Sequence, residues 1–184
     1  GVYIGKQNSL GGTFNMYGGA ITGNSATYGG GVYFYADTFN LYGGTIGGSA
    51  ANDANTAEEG GGVYVGGGEF NMYGGRISGN EATDNGGGVY VYGSYYDTEV
   101  TFTMSDNAAI SGNTAEECGG GVYVQGISDS RKAAFNMKGG SITGNTTTDE
   151  RADYSSGGGV FVYSNATFTM SGGSITGNNS VRGA

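Results

Sequence analysis

The feature that most constrains this chain is a sixfold internal repeat, because self-similarity at a period of a few tens of residues dictates a stacked architecture before any single residue is considered. Six openings recur: "GVYIG" at Gly1, "GGGVYFY" at Gly29, "GGGVYVG" at Gly60, "GGGVYVY" at Gly86, "GGGVYVQ" at Gly119 and "GGGVFVY" at Gly157. Each is followed by a second block, from "TFNMYGGAITGN" in the first copy to "TFTMSGGSITGN" in the sixth. Apart from one extra residue at the bend of the fourth copy, length varies in two places, between "VYV" and the Phe block and between "GN" and the next "GGG". Fixed apolar segments with insertions confined to two corridors describe a coil whose strands stay in register while its loops project. The expectation is an all-β parallel β-solenoid of about six coils, with residues 1–184 forming a single domain.

Composition by itself argues otherwise, since 42 glycines in 184 residues approach a flexible low-complexity chain. The order of the residues overrules it. In "VYV" and "FNM" apolar residues alternate with polar or amphipathic ones, the period of a strand with one buried face. Aligned copies give four inward columns: Val2 to Val160, Phe14 to Phe168, Met16 to Met170 with Leu41 in the second copy, and Ile21 to Ile175. Met and Ile are five residues apart in most copies, so the chain must bend between them. The "GG" pair marks that bend, and in the fourth copy Asp106 and Asn107, residue types that tolerate a left-handed backbone, stand there instead. After the Ile comes an Asn at positions 24, 80, 113, 145 and 178, with Ser49 breaking the series. Stacked amides of this kind hydrogen-bond from coil to coil.

The paired "GGGV" and "ITGN" or "ISGN" blocks resemble the repeats of bacterial secreted and surface proteins, among them the polymorphic outer-membrane and autotransporter-like adhesins. Those repeats carry "GGA" plus an aliphatic residue and an "FxxN" tetrapeptide; here Gly stands for Ala and Ile for Phe. The resemblance spans essentially the whole chain and implies a right-handed parallel β-helix on a bacterial cell surface. The architecture alone hosts adhesins, polysaccharide-active enzymes and ice-binding proteins.

Charge and residue types narrow the chemistry. A net charge of −9 with seven basic residues offers no positive stripe for phosphates, which excludes nucleic acid as an expected partner. There is no His, so imidazole acid–base chemistry and imidazole metal ligation are absent. Carboxylates within the strand blocks are isolated, as at Glu69 and Asp106, and no pair faces another across a coil as a glycosidase centre needs. The chain is therefore expected to be non-enzymatic, with no cofactor and no dedicated metal site. Ten of the sixteen acids, Asp53, Glu58, Glu59, Glu81, Asp84, Glu116, Glu117, Asp149, Glu150 and Asp153, fall between "GN" and "GGG". They should line one edge, as solvated loops or as weak calcium ligands. Cys118, the single cysteine, excludes an internal disulfide and reads as a thiol in a variable loop. No signal peptide or membrane-spanning run is present in this stretch, which reads as a segment of a longer chain or one whose ends stack on other copies.

The candidate binding residues form an outward aromatic column, Tyr3, Tyr33, Tyr64, Tyr90, Tyr123 and Phe161, with Tyr35, Tyr92 and Tyr163 in the next outward position. An exposed ladder of this kind can stack on sugar rings or meet a protein surface; stacked rings also stabilise parallel strands without any ligand. Both readings stand at this point. A second face carries Thr13 and Asn15, Thr38 and Asn40, Thr101 and Thr103, and Thr167 and Thr169. It resembles the Thr-x-Thr surface of some solenoid antifreeze proteins, interrupted by Glu69, Ala134 and the bulky Tyr17, Tyr42 and Tyr73 just beyond. The expected function is thus an extracellular structural and adhesive repeat domain that meets a glycan or a host or cell-surface protein and associates end to end. An ice-binding solenoid and a polysaccharide-active β-helix are the alternatives.

Overall fold

The computed structural model describes residues 1–6, 11–50, 52–94, 99–148 and 156–181. Among them every regular element is a strand, and no helix is long and apolar enough to cross a membrane. The strands form three stacked sheets of ten, six and four members, and every strand pairing within them is parallel. The fold is a parallel β-solenoid of about five turns. Six openings enclose five complete turns, and the sixth copy adds only its "VFV", "ATFTM" and "SIT" strands.

The first sheet holds both apolar blocks. Its registers are those of the aligned columns: Val32 pairs with Val2 and Val63, Val122 with Val89 and Val160, and Phe102 with Phe70 and Phe135. In the second and third copies the corridor between the blocks is short, so each pair fuses into one ten-residue strand, Val32–Leu41 and Val63–Met72. An irregularity between Phe34 and Thr38 absorbs the mismatch. Inside, Phe39, Phe70, Phe102 and Phe135 are fully buried and stacked with ring centroids 4.5 to 4.7 Å apart. That spacing is the strand spacing itself, so identical rings superpose without rearrangement. Ile46, Ile77, Ile110 and Ile142 close the core from the second sheet.

The bend between Met and Ile lies where glycine chemistry places it. Gly75 and Gly140 have φ of 75° and 84°, and Asp106 takes the left-handed conformation at φ 50° in the fourth copy. The triple glycine of each opening serves a second need, close approach between coils. A Cβ on Gly120 would run into the backbone carbonyls of Thr146 and Gly158.

Two features depart from the sequence reading. The corridor from "GN" to "GGG" is not only loop: Thr56–Glu59, Glu81–Asn85, Thr114–Ala115 and Thr146–Thr147 form a third parallel sheet. Its inward residues are Ala57, Ala82, Ala115 and Thr147, too small to register as an apolar pattern, yet buried. The asparagine series is also unbroken. Ser49 opens an excursion to residue 54, and Asn55 takes the ladder position in the second coil. Nδ2 of Asn24 donates to Oδ1 of Asn55, and the same bond recurs from Asn55 to Asn80, Asn80 to Asn113, Asn113 to Asn145 and Asn145 to Asn178, each 2.9 Å.

Candidate functional site

The first outward position of the opening strand produces the expected aromatic column. Tyr3, Tyr33, Tyr64, Tyr90, Tyr123 and Phe161 are paired in register, with ring centroids 4.8 to 5.4 Å apart and interplanar angles of 2° to 20°. Its accessibility is not what an outward position suggests. Tyr3 is 74% exposed, but Tyr64, Tyr90 and Tyr123 are buried, Tyr90 to 2%. Each ring face is covered by the ring of the next coil, and the flanks are closed by Cys118 and by Tyr92, which lies 6.4 Å from Tyr64 and 5.9 Å from Tyr90. Tyr28 leans on Tyr64 at 5.4 Å. The hydroxyls of Tyr90 and Tyr123 both donate to Oε1 of Gln125, at 3.0 and 3.2 Å.

The reading of Tyr64, Tyr90 and Tyr123 as an open stacking platform is therefore corrected: their faces are occupied by one another. Cys118 is likewise buried against this column rather than displayed on a loop. Of the second outward position, Tyr35 is half-buried and its hydroxyl lies 3.3 Å from Oγ of Ser94, Tyr92 is half-buried in the cluster, and Tyr163 is exposed with its ring 6.3 Å from Phe161. Burial holds the phenols of Tyr64, Tyr90 and Tyr123 well above their ordinary ionisation range, with the carboxylate of Glu59 the next cause at Tyr64 and Tyr90 and the thiol of Cys118 at Tyr123. Tyr33 is raised by burial as well.

An aromatic strip that is open to solvent lies elsewhere. Tyr17, Tyr42 and Tyr73 follow the "FNM" strands and stack 4.9 and 5.1 Å apart, exposed at 74%, 43% and 39%. Beside them Nδ2 of Asn40 donates to Oδ1 of Asn15 at 2.9 Å, and Nδ2 of Asn71 to Oδ1 of Asn40 at 3.3 Å. This is the face that carries the Thr and Asn pairs, and its flatness ends at the tyrosines. The sequence signal was their identical offset behind Phe in three consecutive copies.

The acidic corridor divides in the structure. Glu58, Glu59, Glu81, Asp84, Glu116 and Glu117 ride on or beside the third sheet, and Asp53 belongs to the excursion, whereas Asp149, Glu150 and Asp153 lie outside the described residues. Burial pushes the Glu59 carboxyl above the usual carboxylate range, and the neighbouring charges of Asp84 and Glu58 add to it. Among the described residues no three acidic or thiol side chains converge as a metal site would require.

The fold and this surface define the class of molecule as a parallel β-solenoid repeat protein. No family model, no curated protein and no solved structure matches the chain.

Proposed function

We propose that this chain is a non-enzymatic structural and adhesive repeat domain of an extracellular, bacterial-surface kind: a stiff rod that holds loops and exposed edge residues at fixed intervals against a glycan or protein partner. The observation that supports it best is the continuity of its ladders. Asparagine amides, Phe rings and Tyr rings each run from coil to coil with the same partner chemistry, which repeats a shape rather than assembling different reactive groups at one place. The buried Tyr column acts as a spine within this reading. Contact with a partner falls to the loops and to open faces such as the Tyr17, Tyr42 and Tyr73 strip.

Beads coated with the purified chain test the proposal. Saturable adhesion to cells or glycan-coated surfaces, with no new reducing or unsaturated ends released from soluble polysaccharides, is the expected result. Release of such ends would replace the reading with a polysaccharide-active β-helix, and shaping of growing ice crystals would replace it with an ice-binding one.

A further inference from the structure

At the corner between the second and third sheets, the excursion that interrupts the second copy builds a trough. Its wall is residues 48–50 and 54, fixed by two bonds within the turn: the Asp53 amide donates to the Ala50 carbonyl at 3.0 Å, and the Ala50 amide donates to the Asp53 carboxylate at 3.3 Å. A third bond, from the Gly23 amide to the Asp53 carbonyl at 3.2 Å, ties the turn to the coil above. The floor is backbone. A Cβ on Gly112 would meet nothing within 4 Å, so the glycine leaves open space over the corner. The trough has a volume of about 660 Å³, inside the range of roughly 300–1,000 Å³ typical of small-molecule sites.

The lining is polar, with two alanines. Arg76, Ser78 and Ser111 line the trough from the second sheet, and Glu81 and Thr114 from the third. Nη1 of Arg76 donates to Oγ of Ser111 at 3.3 Å, which holds the guanidinium along the wall and leaves its other N–H groups for a second acceptor. Hydroxyls that both donate and accept, a carboxylate that accepts and a guanidinium that donates match the vicinal hydroxyls of a sugar. The methyl groups of Ala50 and Ala54 offer an apolar contact for its C–H faces. Arg76 and Glu81 offset each other, the Asp53 carboxylate stands in the wall, and the chain as a whole carries −9, so a polyanion is disfavoured. Successive coils repeat the hydroxyl at the strand spacing of about 4.8 Å, comparable to the rise of one pyranose unit.

We propose that this trough, lined by Arg76, Ser78, Glu81, Ser111 and Thr114, binds a short stretch of an uncharged oligosaccharide lying along the rod axis. The inference deepens the adhesive reading and rests on it, but moves the glycan contact from the tyrosine column to the corner of the second and third sheets.

The test is an amide-shift titration of the nitrogen-15-labelled chain with four hexasaccharide probes: β-1,4-linked glucose, α-1,4-linked glucose, β-1,4-linked N-acetylglucosamine and, as the anionic comparator, α-1,4-linked galacturonate. At least one neutral probe should shift the amides of Gly79, Gly112 and Thr114 saturably, and the galacturonate should not. Arg76→Ala and Glu81→Gln should each weaken binding by about tenfold or more through the hydrogen bonds they remove. Thr114→Trp should abolish it by filling the trough; if that variant fails to fold, the first two carry the test. No saturable shift with any neutral probe at millimolar concentration overturns the proposal, as does tighter binding of the galacturonate. Binding whose shifts lie on the Tyr17 strip and ignore the variants also overturns it. In each of these outcomes the bead adhesion assay still decides the broader reading, because a protein partner would sustain adhesion without any of the four sugars.

Discussion

The asparagine corner and the tyrosine column run side by side through the same coils, and both are buried against the expectation of their residue types. Amides belong to turns and phenols at outward positions belong to solvent, yet Asn55, Asn80, Asn113 and Asn145 are fully enclosed and Tyr90 nearly so. The routes differ. In the corner, polarity is cancelled by saturation: Nδ2 of Asn113 donates to Oδ1 of Asn145 and to the Ile77 carbonyl, while its Oδ1 accepts from Nδ2 and from the backbone N–H of Asn80. All four bonding directions of the amide are used, so burial strands nothing. In the column, accessibility is removed by copies: each ring is covered by the same ring one coil away. Stacking at the strand spacing covers the ring faces, but burial also needs closed flanks: Tyr42 stacks between two tyrosines and is still 43% exposed, whereas Cys118 and Tyr92 close the sides of the buried column.

The largest break in this comparison should come from the corner. Asn113→Ala leaves the Nδ2 and backbone N–H of Asn80 without their acceptor and takes from the Ile77 carbonyl its side-chain donor, all in a dry site. At about 1–3 kcal/mol for each stranded buried group, partly relieved by relaxation, the loss should be roughly 3–5 kcal/mol. Urea unfolding of the variant measures it, and a loss below about 1 kcal/mol would mean that the ladder is ornamental rather than structural.

The column should yield less. Tyr90→Ser removes one ring between Tyr64 and Tyr123 and its bond to Gln125, but the gap lies at the outer side of the strand where water can enter. A cost of about 2 kcal/mol is expected, below the roughly 3–5 kcal/mol of an aromatic deleted from a core. Tyr90→Phe, which keeps the stack, should recover most of it in the same unfolding experiment. If Tyr90→Ser exceeds Asn113→Ala, the ranking of the two stacks is reversed.

How far these stacks were legible in the sequence follows from the same physics. Columns of large residues at constant spacing, Phe14 to Phe168 and Ile21 to Ile175, can be read directly, because the period survives every insertion. The third sheet could not be read that way: its inward residues are Ala57, Ala82 and Ala115, which bury little area and leave no apolar signature. Asn55 was hidden by counting forward from Ile46 into the excursion. Counting backward from the triple glycine finds it, since Asn55 precedes Gly60 by five residues as Asn24 precedes Gly29. The open or closed state of the Tyr column depends on what flanks it, and Cys118, Tyr28 and Tyr92 reach it from repeat positions whose residue type changes from coil to coil. The trough was invisible for a related reason, because its wall is an insertion, and the repeat does not set the path of an insertion.

The smallest effect tests where the two stacks meet. Glu59 stands in the third sheet at the edge of the column, in register with Tyr28 on one side and Asn85 on the other. Burial raises its carboxyl, and Asp84 and Glu58 raise it further. The native state therefore holds the Glu59 proton more tightly than the unfolded chain does, so that site alone makes stability fall as pH rises from the ordinary carboxylate value through the raised one. Glu59→Gln keeps the shape and removes the charge. It should stabilise the rod at neutral pH by less than about 1 kcal/mol, since the carboxylate is only half enclosed and water screens it. The gain should vanish once the pH drops below the ordinary carboxylate range, where Glu59 is protonated in both states. Thermal unfolding of the two proteins from about pH 3 to pH 8 measures the difference. A Glu59→Gln variant less stable than the parent at neutral pH would mean that the charge at the edge of the column is held by a favourable contact, and that the column, like the corner, is saturated rather than merely stacked.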